Sequence, residues 1–239
     1  LDEAVQLSGL FIKKGPIVQV KDPKRPAHVL EDKDPEVVWD GPLVVMVDKL
    51  SAAASEITAA ALQDYGRAVR VGDQTTHGKG TVQQVLSLDN FLDPKQVPNP
   101  GKLKLTVSKF YRIAGGTTQK EGVTPDIILP SLFDYMDIGE ASLDNCLPAD
   151  RTTPATYTTL DRVKPYIAKL NSHSKERVEK SKDFAYLRDD IGQIKKHTDA
   201  KRISLNMHQR LKEENTETAS AAARKNERGS RPRDSHDHF

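Results

Sequence analysis

Residues 41–66 have the sequence GPLVVMVDKLSAAASEITAAALQDYG, and this stretch decides the fold. Its apolar run, residues 43–47, is short and follows a Gly-Pro turn, which predicts a buried strand. From residue 55 to 65 the apolar side chains recur at helical spacing, and Gly66 then ends the segment, which predicts a helix. The stretch therefore encodes a strand, a turn of small residues and a helix.

The sequence that follows predicts further strands with loops between them. The predicted strands are 68–71, 81–88 and 102–113. The alternation of apolar side chains shifts after Val107, which indicates a β-bulge. The first loop, residues 72–80, is rich in glycine and threonine, whereas the second, residues 89–101, contains three prolines. With the apolar run at 127–129, residues 1–130 are typical of an α/β fold with a mixed sheet.

After about residue 150 the sequence changes to long charged stretches. Residues 163–170 and 184–194 carry apolar side chains every three or four positions, which is typical of amphipathic helices. A further helix candidate spans residues 203–214. We therefore predict three parts: a core over 1–150, a helical region over 151–215 and a tail over 216–239.

The tail, residues 216–239, is predicted to be disordered. Apart from Pro232, it has no apolar residue larger than alanine before its last position. Burial cannot then offset the entropy that ordering costs. His236 and His238 lie in this tail, and we do not interpret a pair of tail histidines as a metal site.

The net charge of +2 hides an asymmetry between the two parts of the chain. Residues 1–150 carry 16 basic and 21 acidic side chains, whereas residues 151–239 carry 20 and 13. A basic half suggests a nucleic-acid binder, but its charges alternate in sign along helical segments and it has few aromatic residues. We keep nucleic-acid binding only as a weak alternative.

Composition excludes other classes of protein. The sequence contains no run of 18 apolar residues, which is about the length that a membrane-spanning helix needs. The single Cys146 cannot form an internal disulfide, and no cysteine or histidine cluster has zinc-ligand spacing. The chain starts at Leu1 without a charged-then-apolar leader, so we expect a fragment or a processed piece.

Two segments are candidates for chemistry. Residues 51–56 lie where a helix begins, and the free backbone N–H groups of a helix start favour a developing anion. In Gly78-Lys79-Gly80 the two glycines let the backbone around one lysine bend and approach other groups closely. On these grounds alone, an ordinary capped helix and a tight turn with a solvated lysine explain the same residues.

Several ordered motifs resemble one family. The motifs are residues 1–12, 41–57, 61–68, 78–84 (GKGTVQQ), 109–116 and 121–128 (EGVTPDII). They resemble the tail-specific proteases, the C-terminal processing peptidases of bacteria, over roughly residues 1–150. The resemblance implies an α/β fold, with a mixed-sheet protease core of the ClpP/crotonase type followed by an α-helical C-terminal extension.

The resemblance also implies a serine peptidase that uses a Ser–Lys dyad and no cofactor or metal. A lysine is a general base only when neutral, so burial without a carboxylate partner has to lower its pKa from about 10.4. Lys79 takes this role in the family pattern. Gln83 is implied to orient the Lys79 amine, because residues an even number apart share one face of a strand. A plain surface role for Gln83 stays open.

The main departure from the family is at the nucleophile. The family motif has the catalytic serine where this chain has Ala53, and a methyl group cannot attack a carbonyl. Deliberate inactivation and a natural pseudoprotease both explain this, and we favour the former because Lys79 and Gln83 are intact. Ser51 and Ser55 are each two residues away, enough to lose the attack geometry. We interpret them as a turn residue and a first-turn helix residue.

The loop before Lys79 is one residue longer than the family pattern, with 26 positions separating Ala53 from Lys79. Loops absorb insertions easily, so we expect Lys79 still to reach the site. His77 replaces an expected aromatic residue there. It is an alternative base, although a packing or surface role fits a loop histidine better.

Two more residues take roles from the resemblance. Asp64 matches a carboxylate linked with activity, yet eleven helical positions from Ala53 correspond to roughly 16 Å, which favours a structural ion pair. The backbone N–H of Ala54, at the helix start, is the natural oxyanion donor. The second donor in the family comes from a glycine-rich turn before Leu1.

The implied biology follows the family. We expect a periplasmic protease that cleaves proteins with apolar C-termini, inactive as given because of Ala53. A PDZ-containing N-terminal part of the same protein and a lipoprotein adaptor are the implied partners. The alternative is a noncatalytic pseudoprotease that binds peptides as an adaptor.

Overall fold

The chain divides into two compact units, residues 1–192 and 193–239, of which the computed structural model describes residues 1–93 and 95–232. The helices are α1 (Asp2–Gly9), α2 (Ala54–Asp64), α3 (Ile167–Lys180), α4 (Lys182–Ala200) and α5 (Met207–Gly229). The strands are β1 (Gly15–Lys21), β2 (His28–Asp32), β3 (Val44–Val47), β4 (Val69–Gly72), β5 (Thr81–Ser87), β6 (Lys102–Tyr111) and β7 (Ile127–Ile128). The expected α/β fold with a helical C-terminal region is confirmed.

A small parallel sheet carries the predicted strand-turn-helix. Its strand order is β3-β4-β7, and β3 pairs with β4 in a register that aligns Val47 with Gly72. Helix α2 connects these two strands. It buries Ile57 and Leu62 in the cluster that contains β1, and Ala60 in a second cluster with Val47. Small alanine side chains let the helix pack closely, since each adds little volume between the elements.

The expectation that residues 43–47 form a buried strand is wrong for part of β3. Val44 and Met46 have 60% and 80% of their surface exposed, whereas Val47 is buried. Successive side chains of a strand point to opposite faces of the sheet, and α2 covers only the face of Val45 and Val47, so Val44 and Met46 stay exposed.

The second sheet is antiparallel, in the order β2-β1-β6-β5. The register between β5 and β6 pairs Val82 with Ser108 but Gln83 with Thr106, so Val107 is the extra residue of a bulge. The predicted bulge in β6 is confirmed. Strands β1 and β6 of this sheet supply much of the core, including Ile17, Val18 and Phe110.

The segment that follows β7 lies along the core and forms only short 3-10 helices, Phe133–Tyr135, Glu140–Ser142 and Lys164–Tyr166, before the first α-helix, α3, begins at Ile167. Its backbone N–H groups at Thr152, Ala155 and Leu160 donate to carbonyl oxygens of the core. The expected start of a helical region at residue 151 is therefore too early. These residues satisfy their backbone polar groups against core loops, so the chain gains nothing from forming a helix there.

The unit of residues 193–239 contains α5, which corrects the prediction of a disordered tail for residues 216–229, whereas residues 233–239 of that tail lie outside the described residues. None of the described residues of α5 is buried. Its sequence is rich in alanine, glutamate, lysine and arginine, which have high helix propensity, and the side chain of Asn206 caps its start by accepting from the Gln209 N–H. Helix propensity and this cap therefore account for α5, and burial does not. His236 and His238 lie outside the described residues.

Among residues 1–93 and 95–232, no helix combines the length and apolar character that a transmembrane span needs.

Candidate active site

Two loops meet at one edge of the parallel sheet. Residues 48–53 follow β3 and residues 73–80 follow β4, and the carboxyl ends of neighbouring parallel strands lie at the same edge. The backbone N–H of His77 donates to the carbonyl oxygen of Ser51 at 3.0 Å, which ties the two loops together. The first candidate segment and the Gly-Lys-Gly turn are therefore neighbours.

Position 53 has a strained backbone. Ala53 has φ 51° and ψ −103°, in a region that residues with a side chain rarely adopt. Strain of this kind persists only where the surroundings impose it, and it concentrates at functional positions. Helix α2 begins directly after it, and in the described part of the chain the Ala54 N–H meets no acceptor. An unbonded N–H beside position 53 suits the expected oxyanion donor.

The two nearby serines lie where the sequence predicted. The Asp48 carboxylate accepts from the backbone N–H and the hydroxyl of Ser51, so Ser51 belongs to the turn. Ser55 lies in the first turn of α2 and is exposed. Each serine therefore has the role expected from the sequence, Ser51 as a turn residue and Ser55 as a residue of the first helical turn.

Glu56 is the centre of the site, and sequence reasoning assigned it no role. Its side chain is fully buried, yet it accepts four hydrogen bonds. They come from the Ala53 N–H at 2.9 Å, the Thr76 hydroxyl at 2.6 Å, the Gly78 N–H at 2.7 Å and the Lys79 N–H at 3.0 Å. An acidic residue three positions after the first helix-flanking residue is the pattern of a capping box, and this signal would have found the first of these bonds.

Burial raises the pKa of the Glu56 carboxyl, and its hydrogen bonds, led by the one from Thr76, oppose that rise. Four donors around one carboxylate are the normal compensation for removing such a group from water. The four donors therefore stabilise the buried carboxylate, and the carboxylate in turn holds the two loops together.

Glu56 also fixes how far apart the two key positions are. Its Oε2 atom accepts from both Ala53 N and Lys79 N, at 2.9 and 3.0 Å. Two nitrogens bound to one oxygen cannot be further apart than the sum of these distances, about 6 Å. Residues 26 positions apart in the sequence are thus adjacent in the site, in spite of the longer loop.

The backbone of Lys79 is held on every side. Its carbonyl oxygen accepts from the Thr118 hydroxyl at 3.1 Å. Gly78 has φ 92°, in the left-handed region that favours glycine. A Cβ at Gly80 would lie 2.7 Å from the backbone nitrogen of Gln119, so this turn and the Gln119 backbone can approach only with glycine there. The two glycines are therefore required by the structure.

The Lys79 amine is partly buried. It donates to the carbonyl oxygen and the hydroxyl of Thr81, at 3.2 and 3.3 Å. Among the residues that the structure describes, no carboxylate forms an ion pair with it. Burial lowers the pKa of Lys79, Glu140 and Glu56 partly oppose this, and Lys104 adds to it. The direction is the one a lysine base requires.

The expected hydrogen bond between Gln83 and the Lys79 amine is not formed. Gln83 is exposed, and the partner of the amine is Thr81. Strand β5 begins only at Thr81, so the alternation of a strand does not extend back to Lys79. The role of Gln83 in orienting the amine stays a prediction that this arrangement does not support.

His77 and Asp64 occupy different surroundings. The Nδ1 atom of His77 is buried and lacks a hydrogen-bond partner within the described residues, while the backbone of His77 joins neighbouring loops. Asp64 forms an ion pair with Arg112, with the Asp64 side chain 6% exposed. That contact is the structural ion pair expected for Asp64.

In the described ranges no group of three or more acidic, histidine or cysteine side chains is arranged to hold a metal ion.

Comparison with known proteins gives two matches along the chain. Residues 1–129 match peptidase family S41, and residues 133–237 match the C-terminal domain of tail specific protease. The chain is 41% identical over 232 residues to a tail-specific protease of Haemophilus influenzae, which covers 95% of this chain and 33% of that protein.

Two further proteins show the same likeness. A carboxy-terminal-processing protease of Bartonella bacilliformis is 35% identical over 150 residues, covering 60% of this chain and 32% of that protein. The solved structure of a photosystem II D1 C-terminal processing protease is 29% identical, with 54% of this chain and 31% of that chain covered and a TM-score of 0.46. The chain spans about a third of the length of these relatives.

Proposed function

Because this chain belongs to peptidase family S41, we propose that it is the catalytic segment of a tail-specific, C-terminal processing protease in which Lys79 is the general base for a nucleophile at position 53. The observation that carries the proposal is the shared atom of Glu56, which binds the backbone nitrogens of Ala53 and Lys79. This contact supports a single site built from both positions. The family is one of serine proteases.

The chemistry needs a serine hydroxyl where Ala53 lies. The neutral Lys79 amine takes the hydroxyl proton as the oxygen attacks the substrate carbonyl, and the resulting oxyanion accepts a hydrogen bond from the Ala54 N–H. The protonated amine then gives its proton to the leaving nitrogen, and the peptide C–N bond breaks. Water hydrolyses the ester that remains and frees the hydroxyl, while Lys79 again transfers the proton.

With Ala53 the first of these steps has no reacting atom, so we propose that the chain as given is inactive. A second function follows from the same methyl group: a pseudoprotease that binds peptides in an intact cleft and acts as an adaptor. The strained backbone at position 53 fits the protease better, because an adaptor has no need to maintain that strain. We favour a substitution that was made deliberately.

The remaining expectations come with the family and are part of the proposal. The substrates are proteins with apolar C-termini in the periplasm, captured by a PDZ domain, with a lipoprotein adaptor as partner. The proposal also includes a protease core over residues 1–150. The backbone hydrogen bonds that residues 152–160 donate to residues of this core favour a limit somewhat later in the chain.

The test is to introduce Ala53→Ser in the full-length protein and follow cleavage of an unfolded substrate that ends in apolar residues. We expect turnover with this variant and none when Lys79→Met is added to it. Ala53→Gly is the matched control, since it relieves the strain without providing a hydroxyl. A folded Ala53→Ser protein without turnover, but with peptide binding, would support the adaptor.

A further inference from the structure

The side chain of Gln119 is fully buried and uses its whole amide group. Its Oε1 atom accepts from the backbone N–H of Gly80 at 2.9 Å. Its Nε2 atom donates to Oε1 of Glu140 and to the carbonyl oxygen of Leu147, both at 3.0 Å. Gly80 is the residue after Lys79, so Gln119 connects the lysine turn to two residues of a later segment.

Glu140 contacts the same turn a second time. Its backbone N–H donates to the carbonyl oxygen of His77 at 2.9 Å. The preceding residue, Gly139, has φ 113°, and a Cβ there would lie 2.9 Å from that carbonyl oxygen. The chain therefore approaches the turn closely at this point. Glu140 therefore contacts the chain on both sides of Lys79, directly at His77 and through Gln119 at Gly80.

These contacts come from outside the part of the chain that matches the peptidase family. The peptidase match ends at residue 129, and Glu140 and Leu147 lie in the part that matches the C-terminal domain of tail specific protease. We propose that Glu140 is a positioning residue for Lys79, acting through Gln119 and His77, so that the beginning of the C-terminal region completes the active site. The proposal rests on the proposed role of Lys79 as the base.

The charge of Glu140 acts on the lysine as well. The charged groups that influence the Lys79 amine are Glu140, Glu56 and Lys104, and His77 lies two residues away. Burial lowers the pKa of Lys79, and Glu140 is the largest opposing influence. A base works best when its pKa is near the working pH, so an opposing carboxylate prevents burial from lowering it too far.

The charge effect is measured without turnover, on the full-length protein with Ala53. The rate at which acetic anhydride modifies Lys79 is followed by mass spectrometry as a function of pH, because only the neutral amine reacts. Glu140→Gln should move the midpoint to lower pH and speed modification about threefold at pH 8, whereas Lys104→Gln should slow it. Glu121→Gln, an exposed change of equal charge, should leave the profile unchanged.

The positioning effect is measured by hydrogen exchange of residues 77–81. Glu140→Ala removes the acceptor for Gln119 and should speed exchange in this turn about tenfold, whereas Glu140→Gln retains an acceptor oxygen and should change it little. If Glu140→Ala fails to fold, exchange is measured in Gln119→Met, which breaks the link between Gly80 and Glu140 and leaves the charge of Glu140 in place. A folded Glu140→Ala with unchanged exchange, or a Glu140→Gln profile identical to that of Glu121→Gln, would overturn the proposal. Neither measurement needs cleavage, so they fail independently of the proposed function.

Discussion

One buried carboxylate determines the arrangement of the candidate site. Glu56 accepts hydrogen bonds from the start of α2 and from the lysine turn. Along the chain, these two segments are connected only through the rest of α2 and β4. A carboxylate with no access to water is stable only when its lone pairs are satisfied. The same four bonds that compensate its burial also hold Ala53 and Lys79 close together.

Glu56→Gln should therefore destabilise the protein. An amide nitrogen cannot accept a hydrogen bond, so at least one backbone N–H would face another donor in a buried site. We expect the free energy of unfolding, measured in urea, to fall by about 2–4 kcal/mol. Glu121→Gln, at an exposed position, should change it by less than about 0.5 kcal/mol. Equal losses in the two variants would show that the bonds to Glu56 contribute nothing.

The lowered pKa of Lys79 predicts how activity depends on pH. Below that pKa the amine is protonated and cannot accept the hydroxyl proton, so kcat/KM of the Ala53→Ser protein should rise with pH as the amine becomes neutral. Because burial lowers the pKa of Lys79, the midpoint should lie below the ordinary value of 10.5. Lys79→Arg should be inactive over the whole range, since arginine keeps its proton. A midpoint at or above 10.5 would contradict a buried lysine base.

At the scale of elements, the Gly-Lys-Gly turn fits against the segment that follows β6. Gly78 and Gly80 approach the backbone of Lys120 and Gln119, and the Lys120 N–H donates to the Gly78 carbonyl oxygen at 2.8 Å. This packing explains why a lysine turn needs glycine on both sides. The turn is rigid because β5, directly after it, is paired with β6.

Gly80→Ala tests this packing. The new Cβ would lie 2.7 and 2.8 Å from the backbone nitrogen and Cβ of Gln119, so the turn has to shift. We expect a loss of about 1–3 kcal/mol in the free energy of unfolding, together with faster hydrogen exchange in the turn. Gly192→Ala, in helix α4 with open space around its Cα, should instead stabilise by about 0.5–1 kcal/mol. The reverse order of stability would argue against a tightly packed turn.

At the scale of the whole unit of residues 1–192, an ion pair joins α2 to the end of the antiparallel sheet. Asp64 lies in the last turn of α2, and Arg112 follows β6 directly. The Asp64 carboxylate is almost completely buried, with 6% of its side chain exposed. Its contact with Arg112 gives this carboxylate a structural role and does not require it to take part in proton transfer.

Asp64→Asn should lower stability without changing the chemistry. Removing one partner of a buried pair leaves the other charge uncompensated, so we expect a loss of about 3–5 kcal/mol in the free energy of unfolding. Asp40→Asn, which removes an exposed pair with Arg162, should lower the free energy of unfolding far less, because solvent screens that pair. For Asp64→Asn in the Ala53→Ser protein, the pH midpoint of kcat/KM should stay where it is. A shifted midpoint in folded protein would give Asp64 a role in proton transfer.

The sequence by itself determined the strand-turn-helix of residues 41–66, the bulge in β6 and the amphipathic helices. Each of these is recorded in a local pattern of apolar side chains or in a motif. The motifs also determined the family and pointed to Ala53 and Lys79. Strands β1 and β2 were missed, because residues 15–32 mix prolines and charges with the apolar positions.

Only the tertiary structure decided the roles of Glu56, Gln119 and Glu140, the Thr81 partner of the Lys79 amine, and the exposure of Met46. Each of these depends on which loop or strand lies opposite. A buried polar atom is satisfied by any complementary hydrogen-bond partner at the right distance, whatever its separation along the chain, so sequence spacing carries no record of the choice. Periodicity shows which side of an element faces the core; it does not show which groups will meet there.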